Sequence, residues 1–417
     1  MLAALLIFLF VAVPADVTLQ PDPPIAGRQV RILAEPDGAT IHLASPFGNW
    51  SLESELAGGG CSVDLPGDLP VLLAGKRLGE EVEFSHQAWL VRGVDGRLVP
   101  RAQFWWAYLN AGFPSPFPLP GTDDAAALEA IEVGAEIAAD DPVVKELLWR
   151  LRGRAAGDKE EYLRQLDAEI AQAPSGRLVL AAARVHHQLG DAAGSAALAQ
   201  RYKDRLLEVE HIETERWAGI VGMRNPRERI AALHRWLEED PFNDYMPSIL
   251  QILAASYSES EDYRSTALFG LLSLRVTPDD AMTLNGVAFA MAEGGFERER
   301  GLELASQAIS ILQNPERLNK PPQLSERRWR EELEHALAAC LDTKGWLLTG
   351  LGRYEEARSA FQAALEIERE DIFYLHLGLM LIERGDREGA VSMLRKGARL
   401  GGPNRLRIES ELDRLGK

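Results

Sequence analysis

Two hydrophobic patterns divide the chain. Between residues 16 and 111, short runs such as "TIHLAS" and "VEFSHQAWLVR" alternate apolar and polar positions, with Pro, Gly, Asn and Asp between them. A period of two is typical of strands with one face buried. From residue 123 onward, apolar residues recur every three or four positions, which indicates amphipathic helices. The pattern therefore predicts an all-β domain over residues 16–111 and an all-α region over residues 123–417.

The spacing of the predicted strands favours a small β-sandwich of immunoglobulin-like type. Asp95-Gly96 separates "AWLVRGV" from "RLVPRAQFWWAYL", which predicts a two-stranded hairpin. On that prediction "FWWAYL" is a strand that packs into the sandwich or at its junction with the helices. An exposed sugar-stacking platform of Trp105 and Trp106 is the alternative. It is disfavoured because neighbours on a strand face opposite ways.

Two short segments flank the predicted β domain. Residues 1–15, "MLAALLIFLFVAVPA", have the length and small-residue ending of a secretory signal peptide with cleavage before Asp16. No Lys or Arg precedes the apolar core, and a buried N-terminal strand or helix is the alternative. "GFPSPFPLPG" carries four prolines, so residues 112–122 are expected to be a stiff linker. We expect an exported protein, periplasmic or extracellular, with no stable membrane span once the signal is removed.

The helical region repeats itself. Gly352 and Gly385 lie 33 residues apart, and each is followed by small and large apolar residues at matching positions. Weaker copies can be traced backward through turns expected at Gly157, Gly190, Asn225, Glu259 and Gly294. Such a period predicts helical hairpins stacked into a solenoid. The clearest repeats are 282–314, 338–370 and 371–403, and "NRLRIESELDRLG" is predicted to be a terminal capping helix.

The string "GWLLTGLGRYEEARSAFQAALEIERED" resembles the tetratricopeptide repeat (TPR) family. The resemblance implies a superhelix whose concave groove, lined by the first helix of each hairpin, holds an extended peptide or a partner helix. The groove positions it implies are Asp342, Trp346, Thr349, Leu375, Leu379 and Ile382. They lack the Lys, Arg and Asn of the family's carboxylate clamp, so an apolar or amphipathic segment fits better. Burial by the capping helix or by the next hairpin is an equal alternative.

The order of segments carries a second resemblance. A signal-like segment, an immunoglobulin-like domain and helical repeats are arranged as in large exported bacterial proteins that also carry a thioredoxin-like domain. This sequence lacks that domain and has no CxxC motif, so redox activity is not implied.

Charge and cysteine content restrict which kinds of partner and site the sequence predicts. The net charge is −18, which disfavours nucleic-acid binding because a polyanion is repelled. The basic cluster around Trp329 precedes Glu331 and Glu332, so we expect a solvated helix face with i,i+4 ion pairs. Cys61 and Cys340 form no recognisable framework, and Cys340 is predicted to be a buried apolar residue.

The sequence offers no recognisable catalytic, cofactor or metal motif. His186 and His187 are adjacent, but neighbours on a helix point about 100° apart and cannot easily share an ion. The spacings His-x3-His and HExxH are missing, as are a nucleophile elbow, a Walker loop and GxGxxG. The acidic pairs Asp123-Asp124 and Asp140-Asp141 are predicted at helix N-termini.

The sequence therefore favours a non-enzymatic scaffold or adaptor of the bacterial cell envelope that binds a protein or peptide partner in the TPR groove. The alternative is a carbohydrate- or peptidoglycan-binding protein. Its contact surface would be built from Trp50, Trp89, Trp105 and Trp106.

Overall fold

The computed structural model describes most of the helical region and the strands before it. The described residues are 18–20, 29–33, 40–44, 51–55, 60–64, 71–77, 87–90, 101–115, 121–314, 316 and 318–416. The predicted signal peptide lies outside them, as does much of the predicted Pro-rich linker. Both therefore stay predictions.

The described strands form two antiparallel sheets, with the orders β1-β2-β5 and β4-β3-β6-β7. The strands are β1 Thr18–Gln20, β2 Gln29–Leu33, β3 Thr40–Ala44, β4 Ser51–Glu55, β5 Gly60–Asp64, β6 Val71–Arg77 and β7 Gln87–Leu90. The predicted alternation is visible in β5, where Val63 is buried while Ser62 and Asp64 are exposed. The packing of the two sheets as an immunoglobulin-like sandwich depends on residues outside the described ranges and stays a prediction.

The segment predicted to be the last strand of a hairpin is a helix. It begins after Arg101, which has a φ of 61°, and forms α1, Ala102–Asn110. Phe104, Trp105 and Tyr108 are all buried there. The prediction was wrong because a short run that is apolar on nearly every side has no period to separate strand from helix.

The other helices follow in order to the C-terminus. They are α2 Asp124–Ile137, α3 Pro142–Ala155, α4 Lys159–Gln172, α5 Gly176–Gln188, α6 Ala192–Arg201, α7 Lys203–Val221, α8 Pro226–Glu239, α9 Met246–Glu259, α10 Tyr263–Val276, α11 Ala281–Gly294, α12 Arg298–Leu312, α13 Glu326–Gly350, α14 Tyr354–Ile367, α15 Asp371–Glu383, α16 Arg387–Leu400 and α17 Arg405–Arg414.

Helix starts follow simple side-chain chemistry. Seven helices of the described region begin at an Asp that accepts a hydrogen bond from a first-turn N–H group, which would otherwise lack a partner. These residues are Asp123, Asp141, Asp158, Asp191, Asp262, Asp280 and Asp386. The predicted placement of acidic pairs at helix N-termini is confirmed for α2 and α3.

The hairpin turns also fall where the sequence predicts them. Gly157, Gly190 and Asn225 separate α3 from α4, α5 from α6, and α7 from α8. Gly352 and Gly385 adopt positive φ values of 72° and 87°, which glycine reaches without steric cost. The helical stretch "DAAGSAALAQRYKDRL" is interrupted at Tyr202, which separates α6 from α7.

The chain divides into two compact units, Met1–Met246 and Pro247–Lys417. In the second unit, α11, α13 and α15 are the first helices of three successive hairpins, and α13 contacts both of the others. These three helices are called the first-helix layer below. Within the part of the chain that the structure describes, no helix is both long enough and apolar enough to cross a membrane.

Candidate functional site

All six predicted groove residues lie in the first-helix layer. Asp342, Trp346 and Thr349 belong to α13, and Leu375, Leu379 and Ile382 belong to α15. Their exposure divides them into two groups. Asp342, Thr349 and Leu375 are buried, whereas Trp346, Leu379 and Ile382 are only partly buried.

The buried members are held by intramolecular contacts. Leu375 packs with Leu394 of α16 and Ile408 of α17. Thr349 donates its hydroxyl to the Gly345 carbonyl at 2.9 Å, a bond within its own helix. Of the six positions, Trp346, Leu379 and Ile382 therefore keep accessible apolar surface, although each also packs against a buried cluster.

The close packing of hairpins explains the glycine repeat. A Cβ atom on Gly345 would lie 2.7 Å from the ring of Phe361, and one on Gly378 would lie 2.8 Å from Leu394. Each glycine precedes its partner by 16 residues, so the same contact joins α13 to α14 and α15 to α16. The repeated glycine therefore marks the position at which the two helices of each hairpin are in contact.

A buried charged cluster connects the three helices of the first-helix layer. His376 of α15 is 0% exposed, and its Nδ1 lies 2.7 Å from Oδ2 of Asp342 on α13. Its Nε2 lies 3.4 Å from Oε1 of Glu293 on α11. The indole ring of Trp346 stacks on the imidazole at 5.0 Å between centroids. We call Glu293, Asp342, Trp346 and His376 the inner cluster.

The inner cluster favours a protonated imidazole. Burial disfavours the charged form of His376, but the carboxylates of Asp342 and Glu293 outweigh it and raise its pKa to about 9. Burial likewise acts against the charged form of Glu293, yet contact with His376 and the charge of Arg407 leave the pKa of this carboxyl below its ordinary value. At neutral pH the imidazole of His376 is therefore protonated.

The last helix reaches the same cluster. Arg407 of α17 places Nη1 3.7 Å from Oε2 of Glu293, although five helices separate α11 from α17 in sequence. Ile408, the next residue, is fully buried. The predicted capping helix is confirmed, and it contributes both apolar cover and a charge.

Sequence reasoning placed Asp342 in the groove but missed the other charged members. The available signal was a histidine within "YLHLGLML", an otherwise apolar run of α15. A buried imidazole needs hydrogen-bonding partners. Those partners come from two other hairpins, and the sequence alone does not say which acidic residues face His376.

The first compact unit has its own buried charged network. Glu146 is 2% exposed and accepts a 3.0 Å hydrogen bond from Nε of Arg150. Arg184 approaches it to 3.3 Å. Burial raises the pKa of Glu146 despite the two guanidinium groups. This network joins α3 to α5. Glu146 pairs there with two guanidinium groups, whereas Nη2 of Arg184 is buried without a hydrogen-bond partner among the described residues.

The adjacent histidines diverge as predicted. His186 is buried, with Nδ1 2.8 Å from Asp191 and Nε2 3.2 Å from Asp167, while His187 is exposed. Through these two contacts, His186 of α5 connects α4 with the turn before α6. The pair does not converge on one point.

The predicted ion pairs and the predicted buried thiol are both confirmed. Arg327 pairs with Glu331 and Arg328 with Glu332, each at 2.8 Å. Cys340 is 0% exposed, and burial raises the pKa of its thiol to about 12. Neither feature offers reactive chemistry.

One of the four tryptophans of the carbohydrate alternative, Trp105, is buried, and the side chain of Trp89 lies outside what the structure describes. Trp105 is 2% exposed and packs edge-on against Phe104 at 5.0 Å. Trp106 is partly buried on the same helix. Trp50 lies outside the described residues.

A basic face lies on the outer helix of the last hairpin. Arg395, Lys396 and Arg399 are exposed on α16 together with Ser392. In a chain of net charge −18, this face has a local sign opposite to the whole. It is a second surface that a partner could contact.

Comparison with known proteins agrees with this architecture. The tetratricopeptide repeat family matches residues 338–371, which correspond to the second half of α13, α14 and the start of α15. The chain is thus a helical protein with tetratricopeptide repeat character. No curated protein sequence matches it.

Several solved structures are similar at low sequence identity. A thermophilic TPR protein of Thermus thermophilus is 21% identical, with 46% of this chain and 90% of that chain covered and a TM-score of 0.32. A tetratricopeptide repeat protein of Parabacteroides merdae is 12% identical, with 71% and 93% covered and a TM-score of 0.34. Yeast Tom70 is 15% identical, with 70% and 59% covered and a TM-score of 0.33.

Proposed function

We propose that the protein is a non-enzymatic scaffold or adaptor of the bacterial cell envelope that binds a segment of a protein partner on its first-helix layer. The observation that carries this proposal is that three of the six groove positions, Trp346, Leu379 and Ile382, remain partly exposed. Covering such surface with an apolar or amphipathic segment is favourable by about 25 cal/mol per Å². The TPR match over residues 338–371 includes Trp346 and supports a protein partner.

Site-specific photo-crosslinking in the producing cell tests this proposal. A photoreactive phenylalanine analogue replaces Leu379 in one full-length variant, Ile382 in a second and the exposed Ser392 in a third. We expect one common protein adduct from the first two positions and none from Ser392. An adduct from Ser392 alone would move the contact to the basic face of α16, and the absence of any adduct would contradict partner binding.

Export and the N-terminal β domain belong to the same proposal. The apolar segment of residues 1–15 supports secretion. The two antiparallel sheets support an immunoglobulin-like sandwich placed before the repeats. N-terminal sequencing of the protein from the envelope fraction is expected to begin at Asp16, and a retained Met1 in that fraction would contradict cleavage.

A further inference from the structure

Three metal-binding side chains converge at the junction between two neighbouring hairpins. Nδ1 of His335 on α13 lies 2.8 Å from Oε2 of Glu368 and 3.6 Å from Oε1 of Glu370. The three ligand atoms all lie within 4.8 Å of one another. The side chains are 50%, 40% and 35% exposed, so an ion can reach them from solvent. None of them belongs to the inner cluster.

The backbone fixes this arrangement. Glu368 and Glu370 lie in the short connection between α14 and α15, and both have extended φ and ψ values. Alternate residues of an extended segment point to the same side, so the two carboxylates face together while Arg369 is directed outward and exposed. Glu370 occupies the N-cap position of α15, yet its side chain makes no capping hydrogen bond. Its carboxylate therefore remains available.

The repeat places the histidine opposite these carboxylates. His335 and Glu368 lie 33 residues apart, which is the repeat period. Equivalent positions of adjacent hairpins lie side by side in a stacked array. Sequence motifs for metal ligands place them only a few residues apart on one helix. The group of His335, Glu368 and Glu370 was therefore not visible in the sequence.

The local charge favours a cation. Among the described residues, Glu368 and Glu370 both pair with His335, so two carboxylates share one imidazole. Asp342 and Asp371 add negative charge near Glu370. A divalent ion in place of the imidazole proton would balance this charge more completely.

The distances suit a first-row transition metal. With metal–ligand bonds of about 2.0–2.1 Å, ligand atoms of a tetrahedral zinc site lie roughly 3.3 Å apart. The separations from Nδ1 of His335 to the two carboxylate oxygens, 2.8 and 3.6 Å, bracket that value, and the two oxygens lie within 4.8 Å of each other. An imidazole with two carboxylates is a donor set that binds Zn²⁺ and leaves a position open.

From these observations we propose that His335, Glu368 and Glu370 bind a divalent transition-metal ion of the Zn²⁺ type. Bound there, the ion ties α13 to the α14–α15 connection and keeps a coordination position open to solvent.

Calorimetric titration of Zn²⁺ into the untagged full-length protein at pH 7.5 tests the proposal. The titration uses a Cys61→Ser background, so that this thiol cannot bind the ion. We expect one saturable site per chain. Binding should weaken at least tenfold in His335→Gln and in Glu370→Gln, and it should be unchanged in His211→Gln. His211 is the matched control because it forms an exposed pair with Glu215 at 3.3 Å.

Circular dichroism confirms that each variant folds, so that a loss of binding can be assigned to the site. Absence of saturable binding at millimolar Zn²⁺ would overturn the proposal. So would full binding by His335→Gln, because the ion would then lie elsewhere.

Discussion

At the scale of single residues, the first-helix layer depends on small side chains at helix contacts and on one buried charged group. Gly345 and Gly378 permit the close approach of two helices, and His376 holds carboxylates from two hairpins. The glycines were visible in the sequence because they repeat. The partners of His376 were not, because a buried ion pair leaves no period in the sequence.

Replacing Gly345 by Ala tests the helix contact. The new Cβ would lie 2.7 Å from the fully buried Phe361 ring, and overpacking of this kind costs about 1–3 kcal/mol. Gly286→Ala in α11 is the matched control, because, apart from its chain neighbours and nearby backbone of its own helix, no described atom lies within 4 Å of its added Cβ. That variant should gain about 0.5–1 kcal/mol. Equal urea midpoints for the two variants would contradict the packing argument.

The pH dependence of stability tests His376. The pKa of about 9 in the folded protein exceeds the ordinary value of 6.5, so the folded state binds the proton more tightly. The resulting stabilisation, at most about 3 kcal/mol, is complete below pH 6.5 and is lost as the pH rises through 9. Urea denaturation between pH 6 and 10 should show this decline in the wild type and in His211→Gln, and a weaker decline in His376→Asn.

Nuclear magnetic resonance of the wild-type imidazole provides an independent check that needs no variant. A His376 titration midpoint at or below 6.5 would contradict the electrostatic account.

At the scale of secondary-structure elements, the helices from α2 onward follow from capping residues, turn glycines and prolines that stop a helix. Helices α4, α8, α10 and α12 end shortly before Pro174, Pro241, Pro278 and Pro315. Helix α1 was not predictable in the same way. Its apolar residues surround the helix, and its burial comes from packing with α2 and α3.

The terminal helix α17 offers a test at this scale. Ile408 is fully buried against Leu375 and Leu394, whereas Leu406 on the same helix is 81% exposed. Truncation of a buried Ile to Ala typically costs about 2–5 kcal/mol, and a surface substitution stays within about 0.5 kcal/mol. Urea denaturation should therefore show a large loss for Ile408→Ala and almost none for Leu406→Ala. Similar losses would mean that α17 does not cover the layer.

At the scale of the whole molecule, the sequence predicted a β region followed by helical repeats, and the described residues contain both kinds of element. It did not predict that the helices divide between two compact units, one ending at Met246 and the other beginning at Pro247. The repeat period continues across that boundary. Division into units depends on long-range contacts, which a local period does not encode.

The proposed adaptor function concerns the first-helix layer as a surface. Three of the predicted groove residues, Asp342, Thr349 and Leu375, are buried and make contacts within the chain. The sequence pattern could name positions on the inner side of the first helices. It could not say which of them another part of the same chain already covers.

The most direct test is the affinity of the full-length protein for the partner captured from Leu379 or Ile382. We expect Leu379→Glu to weaken binding at least tenfold, which corresponds to about 1.4 kcal/mol, because it places a charge in the apolar contact. Ile367→Glu, at the exposed end of α14, should leave the affinity unchanged. Equal affinity of wild type and Leu379→Glu would contradict the claim that the first-helix layer binds the partner.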